Sequence, residues 1–145
     1  MKKQKNGFTL FELLVSISII GILTALGVAS FSSAQQKARD SRRIQDMDVI
    51  QKAAEQYYSA HGTYSYPIDT SLTNWVVNGT SVLQKWPVDP KPAPWTQYNY
   101  TSSSPYTSYC ACANLEGSSQ GNSDTNACDF AATTSLTFYC VHSQQ

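Results

Sequence analysis

Residues 8–31, FTLFELLVSISIIGILTALGVASF, carry one ionisable side chain, Glu12, among apolar and small polar ones. As a helix this stretch measures about 36 Å, enough to cross the hydrocarbon core of a bilayer. From Ser32 onward the composition turns polar, yet Ile44, Met47, Ile50, Ala54, Tyr57 and Tyr58 still recur at three- and four-residue steps. That spacing lines one face of a helix. The opposite face carries Asp40 with Arg43, Arg42 with Asp46, and Asp48 with Lys52, pairs that modestly support a solvated helical surface. No proline precedes Pro67, and Gly62 supplies a stop after His61. One helix is therefore predicted over 8–61, about 80 Å long, with an apolar half (8–31) that protrudes and an amphipathic half (32–61) that packs on a globular head (62–145).

The head begins with few regular signals. Residues 62–94 contain GTYSYP, a short apolar stretch at 75–77, a candidate turn at Asn78 and Gly79, and prolines at 87, 90, 92 and 94 that forbid helix and central strand. This region reads as the loop between helix and sheet. Three strand candidates follow at 96–101, 106–115 and 136–142, the first two joined by a turn at 102–105. A three- or four-stranded antiparallel sheet laid on the amphipathic half of the helix buries both apolar faces, so the predicted class is α+β.

Charge and cysteine usage narrow the function. Ten basic residues balance ten acidic ones. Lys2, Lys3 and Lys5 precede the apolar stretch, and taking those three from ten leaves seven basic against ten acidic. By the positive-inside rule the N-terminus is cytoplasmic and the head lies outside. Only Lys85 and Lys91 are basic in the head, so nucleic acid is not an expected partner. Cys110, Cys112, Cys128 and Cys140 lie in a polar, loop-rich segment of a membrane-targeted chain and read as two disulfides in an oxidising compartment. Cys110 and Cys112 point to one side of a strand and are not expected to pair with each other. Of three connectivities, the favoured one joins Cys112 to Cys128, closing the polar loop, and Cys110 to Cys140, tying the last strand to the sheet; the sequence leaves the others open. A zinc site of four thiolates competes, but C-x-C without a second close pair fits zinc poorly.

An ordinary secretory signal is the simple alternative for the N-terminus, with ALGVAS at 25–30 as its cleavage site. The length of the apolar run argues against it, and so does Glu12. A carboxylate at the centre of an apolar helix costs about 2.5–3.5 kcal/mol on insertion scales, less near an end, and is kept where a partner or function requires it.

The segment KNGFTLFELLVSISIIGIL resembles the leader and N-terminal helix of type IV pilins and of type II secretion pseudopilins: a short basic leader ending in Gly7, Phe8 next, Thr9 after it, Glu12, then an aliphatic run. HGTYSYP, WPVDP and PWTQYNY resemble the region after the helix in the same proteins. The resemblance implies removal of residues 1–7 by a prepilin peptidase, methylation of the new Phe8 amine, and assembly into a homo-oligomeric filament by pilus machinery. It also implies that Glu12 of one subunit neutralises the Phe8 amine of its neighbour. Many members of the family carry a proline near the middle of the transmembrane half, a neighbourhood that Ala29 occupies here, and Gly21 and Gly27 are the weak points of this helix. Major pseudopilins bind calcium in a C-terminal loop; Glu116, Asn122, Asp124 and Asp129 are the candidate ligands, although their spacing matches no EF-hand and a solvated loop is the favoured reading.

Signals for catalysis are absent. His61 and His142 accompany no nucleophile motif, and there is no phosphate-binding loop or dinucleotide fingerprint. No resident cofactor is expected, and the aromatic residues are read as core and packing. The sequence thus predicts a non-enzymatic pilus-like filament subunit, membrane-held before assembly and extracellular after it. Its rivals are a secretion pseudopilin, a DNA-uptake pilin, and a monomeric membrane-anchored protein or enzyme, the last disfavoured by the absence of a catalytic motif.

Overall fold

The computed structural model describes residues 7–64, 75–77, 79–91, 97–102, 105–117, 120–130 and 136–144, apart from the side chain of Ala29. The expectations for the leader lysines, for Ala29, Asn78, Pro92, Pro94 and Thr96, and for Ser103 and Ser104 of the hairpin turn, lie outside those residues. Helix α1 runs Leu10–His61, followed by strands β1 (Trp75–Val77), β2 (Thr80–Leu83), β3 (Asn99–Ser102), β4 (Tyr109–Asn114) and β5 (Phe138–His142). The fold is α+β, as the sequence predicts. The helix ends where expected: Gly62 takes φ +69°, a left-handed conformation cheap only for glycine, and its N–H donates to the Tyr58 carbonyl at 2.7 Å.

The chain divides into two units, 1–35 and 36–145. In the first, Leu10, Phe11, Ile20, Leu26 and Phe31 are all exposed, and the helix is long and apolar enough to cross a membrane. Its hydroxyls do not interrupt the apolar surface. Ser16, Ser18 and Thr24 donate back to the carbonyls of Glu12, Leu14 and Ile20 at 2.7, 2.8 and 2.6 Å, so each is satisfied within the helix.

In the second unit the predicted stripe is the core. Met47 and Ile50 have no exposed surface, and Ala53 and Ala54 are buried beside them. They pack with Tyr109, Ala111 and Ala113 of β4, Val141 of β5, and Tyr64, Trp75, Leu83 and Tyr98. Burying Met47 and Ile50 is worth about 1.5–3 kcal/mol each. Alternation along β4 explains this side of the sheet: Tyr109, Ala111 and Ala113 share one face and all three are buried in the core cluster with Ala53 and Ala54 of α1. Cys110 and Cys112 occupy the other face. Strands β3, β4 and β5 form an antiparallel meander in which Tyr100 opposes Ala111 and Cys112 opposes Cys140.

Two expectations need correction. Region 62–94 is not only connecting loop, because β1 and β2 form a separate antiparallel pair with Gly79 at φ +79° in the turn. Strands of three and four residues are too short to show alternation in sequence; their pairing is secured by burial of Trp75 and its partner Leu83. The face carrying Asp40, Arg43 and Asp46 was expected to be solvated, yet all three are buried. The strands are also shorter than predicted, β4 starting after Tyr106, whose φ of +63° breaks extended geometry.

Gly121 provides a test of this packing. A Cβ there would collide with the carbonyl of Leu136 and lie 2.9 Å from the Phe138 oxygen. Gly121→Ala is expected to destabilise the full chain in detergent by about 1–3 kcal/mol, read from its denaturant midpoint, because backbone cannot yield as a flexible side chain does. An unchanged midpoint would mean the 120–130 loop does not lie on β5 in this way.

Candidate functional site

Three groups of residues carry candidate chemistry. At the N-terminus, Gly7 and Phe8 are exposed and precede the first helical turn, so the bond between them is sterically open. Thr9 caps the helix. Its Oγ accepts the Glu12 N–H at 3.2 Å, while Glu12 Oε2 accepts the Thr9 N–H at 3.0 Å and the Thr9 hydroxyl at 2.7 Å. This is a reciprocal capping box, which satisfies two otherwise orphaned backbone donors. It places the carboxylate at the positive end of the helix dipole. Among the described residues Oε1 has no partner, so half of the carboxylate stays open to an external cation. Threonine three residues before glutamate, ahead of an apolar run, is the sequence signal of this cap, distinct from the hydrophobic periodicity that marks the helix.

The second group is an ion-pair cluster in the head. Arg43 has no exposed surface and meets Asp89 in a two-pronged contact, Nε to Oδ2 at 2.7 Å and a second nitrogen to Oδ1 at 2.9 Å. Its remaining nitrogen donates to Asp40 at 2.7 Å and Glu116 at 3.0 Å. Arg39 grips both oxygens of Glu116 at 2.6 and 2.7 Å, and Lys91 adds a contact at 3.1 Å. Asp40 in turn accepts the backbone N–H groups of Glu116 and Gly117 at 2.9 and 3.0 Å. Three cations face three carboxylates, so the cluster is neutral and its donors are met, the condition under which burying charge is tolerated. Nearby, Tyr98 donates to Asp46 at 2.7 Å, and burial together with that bond pushes its phenol above the ordinary range.

Glu116 was a candidate calcium ligand, and the structure gives it a different role. Its carboxylate is spent on Arg39, Arg43 and Lys91. Asn122 is likewise occupied, donating to the Cys140 carbonyl at 2.8 Å and accepting the Cys140 N–H at 2.7 Å. Asp124 keeps one buried oxygen without a partner, and the Asp129 carbonyl accepts from Ser123 at 2.9 Å. The four candidates do not form one donor set.

The third group is the cysteines, and here the favoured connectivity is corrected. Cys110 is bonded to Cys128 and Cys112 to Cys140. The strand register explains why: Cys112 lies directly across from Cys140, their Cα atoms 4.1 Å apart, whereas Cys110 opposes His142. Cys110 is left for the loop, which folds over that face and brings the Cα of Cys128 within 5.9 Å. Joining Cys110 to Cys140 would have required a two-residue slip of β5.

Comparison with known proteins defines the class. Residues 2–28 match the model of the prokaryotic N-terminal methylation motif, so the chain carries a prepilin-type N-terminus. It is similar to the type II secretion system core protein G of Pseudomonas aeruginosa, 28% identical over 138 residues that span 85% of this chain and 94% of that protein. It is also similar to the type IV major pilin protein PilA of Myxococcus xanthus, 31% identical over 43% of this chain and 28% of the relative. For the type IV major pilin protein PilE of Neisseria gonorrhoeae the identity is 30%, over 59% of this chain and 50% of the relative. The chain thus spans nearly all of the secretion protein and half or less of the two pilins. No solved structure matches it.

Two outcomes are expected. The hydrogen bonds from Arg39, followed by those from Lys91 and Arg43, outweigh burial and hold the Glu116 carboxyl well below its usual range. A carboxyl depressed on folding stabilises fully above its unfolded pKa of about 4.3 and loses that contribution as pH falls below it. The melting midpoint of the full chain should therefore fall steadily below about pH 4.3, and Glu116→Gln should lower the neutral-pH midpoint while making the acid-side decline shallower. For the disulfides, Cys128→Ser orphans one thiol, and alkylation under non-reducing conditions is expected to label Cys110; a label on Cys112 would restore the other pairing.

Proposed function

We propose that the chain is a structural subunit of a type IV pilus-like extracellular filament. Residues 8–31 hold it in the cytoplasmic membrane, with the head outside, until a prepilin peptidase cuts between Gly7 and Phe8 and pilus machinery assembles it. The observation that carries this reading is Glu12, fixed by Thr9 at the start of the helix and the lone carboxylate of residues 10–31, where the other large side chains are apolar and exposed. Such a surface calls for lipid or for copies of itself. When helices bundle away from lipid, the Phe8 amine released by cleavage is an unpaired charge in apolar surroundings, and the open oxygen of a neighbouring Glu12 is its complement. A pair of this kind sets the axial register between subunits, because a shift along the helix leaves two charges uncompensated. The subunit itself has no catalytic task in this reading.

A second reading, a pseudopilin of a type II secretion system, is favoured by one observation: the similarity that extends through the head is to the secretion core protein, whereas the two pilins match over a smaller part of the chain. The two readings share the N-terminal chemistry and differ in what the fibre does. Of the four calcium candidates, Glu116 is committed to three cations and Asn122 to the backbone of Cys140, which weakens the calcium reading in either case.

Protein from sheared surface fibres should begin at Phe8 and carry one added methyl group, by intact mass and N-terminal sequencing. Breaking a buried pair costs about 3–5 kcal/mol, so Glu12→Ala is expected to reduce fibre recovery by at least about tenfold. Glu12→Gln, which keeps the cap but loses the charge, should be nearly as defective. Normal fibres from Glu12→Gln would refute the charge pairing, and loss of protein export without loss of surface fibres would select the pseudopilin.

A further inference from the structure

The four cysteines do more than form two separate bonds. Cys110 and Cys112 project from the same face of β4, Cys140 from the adjacent β5, and Cys128 from the loop lying over them. All four sulfurs fall within 4.8 Å of one another, and across the two disulfides Cys110 Sγ is 3.5 Å from Cys112 Sγ, which is 3.9 Å from Cys128 Sγ. A tetrahedral zinc thiolate site with Zn–S bonds of about 2.3 Å places its sulfurs about 3.8 Å apart. Two of the four non-bonded spacings already match that edge, and the other two lie within 4.8 Å. In sequence the cysteines looked unsuited to zinc because C-x-C lacked a second close pair; β5 and the loop supply the missing two ligands.

We propose that the reduced chain holds one zinc ion at Cys110, Cys112, Cys128 and Cys140, so that one cluster serves as a metal site when reduced and as two disulfides when oxidised. A dithiol or phosphine reductant supplies two electrons per disulfide, which with two protons yields two thiols each. Zinc then displaces the four thiol protons and leaves a four-thiolate centre of net charge −2. Cys112 and Cys140 are buried and the other two half-buried, so the centre is shielded from water as structural zinc sites are. In the disulfide form the sulfurs of Cys128 and Cys140 lie 3.4 and 3.6 Å from the carbonyls of Val141 and Thr125. Zinc must displace thiol protons to bind, so affinity rises with pH. The ion ties together the same three segments, β4, the 120–130 loop and β5, that the disulfides tie.

The test is cobalt(II) titration of the full-length chain in detergent after phosphine reduction and removal of the reductant. The expected result is one cobalt per chain with the intense visible bands of a tetrahedral thiolate centre, displaced by one equivalent of zinc, and with all four thiols slowed in alkylation by the metal. The oxidised chain, folded by its disulfides, should show no such spectrum, and reduced Cys128→Ser should lose it. No uptake by the reduced wild-type chain, a weak octahedral spectrum, equal uptake by the oxidised chain, or an undiminished spectrum in Cys128→Ser would each overturn the proposal.

Discussion

A guanidinium with no exposed surface must find an acceptor for its donors, and Arg43 is the residue around which the head is organised. It lies on α1, but its partners come from the Asp89 segment, from Glu116 just past the end of β4, and from its own helix at Asp40. Any rotation of the helix against the sheet would strand charge in the interior, at a cost of several kcal/mol per ion. Apolar packing of Met47 and Ile50 is non-directional and would tolerate such a rotation far better. Hydrophobic burial therefore holds the head together, while the ion cluster selects one seating of the helix on it.

The same division of labour appears in β4. One face carries Tyr109, Ala111 and Ala113 in the core cluster, and the opposite face carries both cysteines of the C-A-C segment. The alanines join the core shared with the helix, and the disulfides secure the irregular 120–130 segment, which has little hydrophobic surface of its own. Asn122 adds two hydrogen bonds to the backbone of Cys140, extending the sheet where no regular strand is present. A loop of this polarity stays ordered because its backbone and side-chain groups find partners on the sheet, with Ser123 fully buried beneath it.

At the N-terminus a single side chain does two tasks. Glu12 closes the helix through Thr9 and keeps one oxygen open, so the carboxylate is oriented before any neighbour arrives. Orientation in advance lowers the cost of binding. In the filament proposed above, Thr9 is then a positioning residue that acts through Glu12. Every large side chain that follows, from Leu13 to Phe31, is apolar and exposed in the isolated chain.

What could be read from the chain alone was whatever depends on local order: the apolar run, the lone Glu12, the 44–58 stripe, the Gly62 stop, the α+β class and the prepilin resemblance all follow from spacing along one segment. What could not be read depends on which segments meet. Arg43 and Asp40 looked like a solvated helix pair because their spacing is i to i+3; only the arrival of Asp89 and Glu116 from distant segments made that face interior. Glu116 looked like a calcium ligand because its type suited one, until three cations converged on it. The disulfide partners followed from the register of β5 on β4, a choice between alternatives two residues apart that present the same side-chain face to the pleat. Local periodicity determines the elements, but partners across space are set by tertiary packing, where charge must be neutralised and each buried polar group must be met.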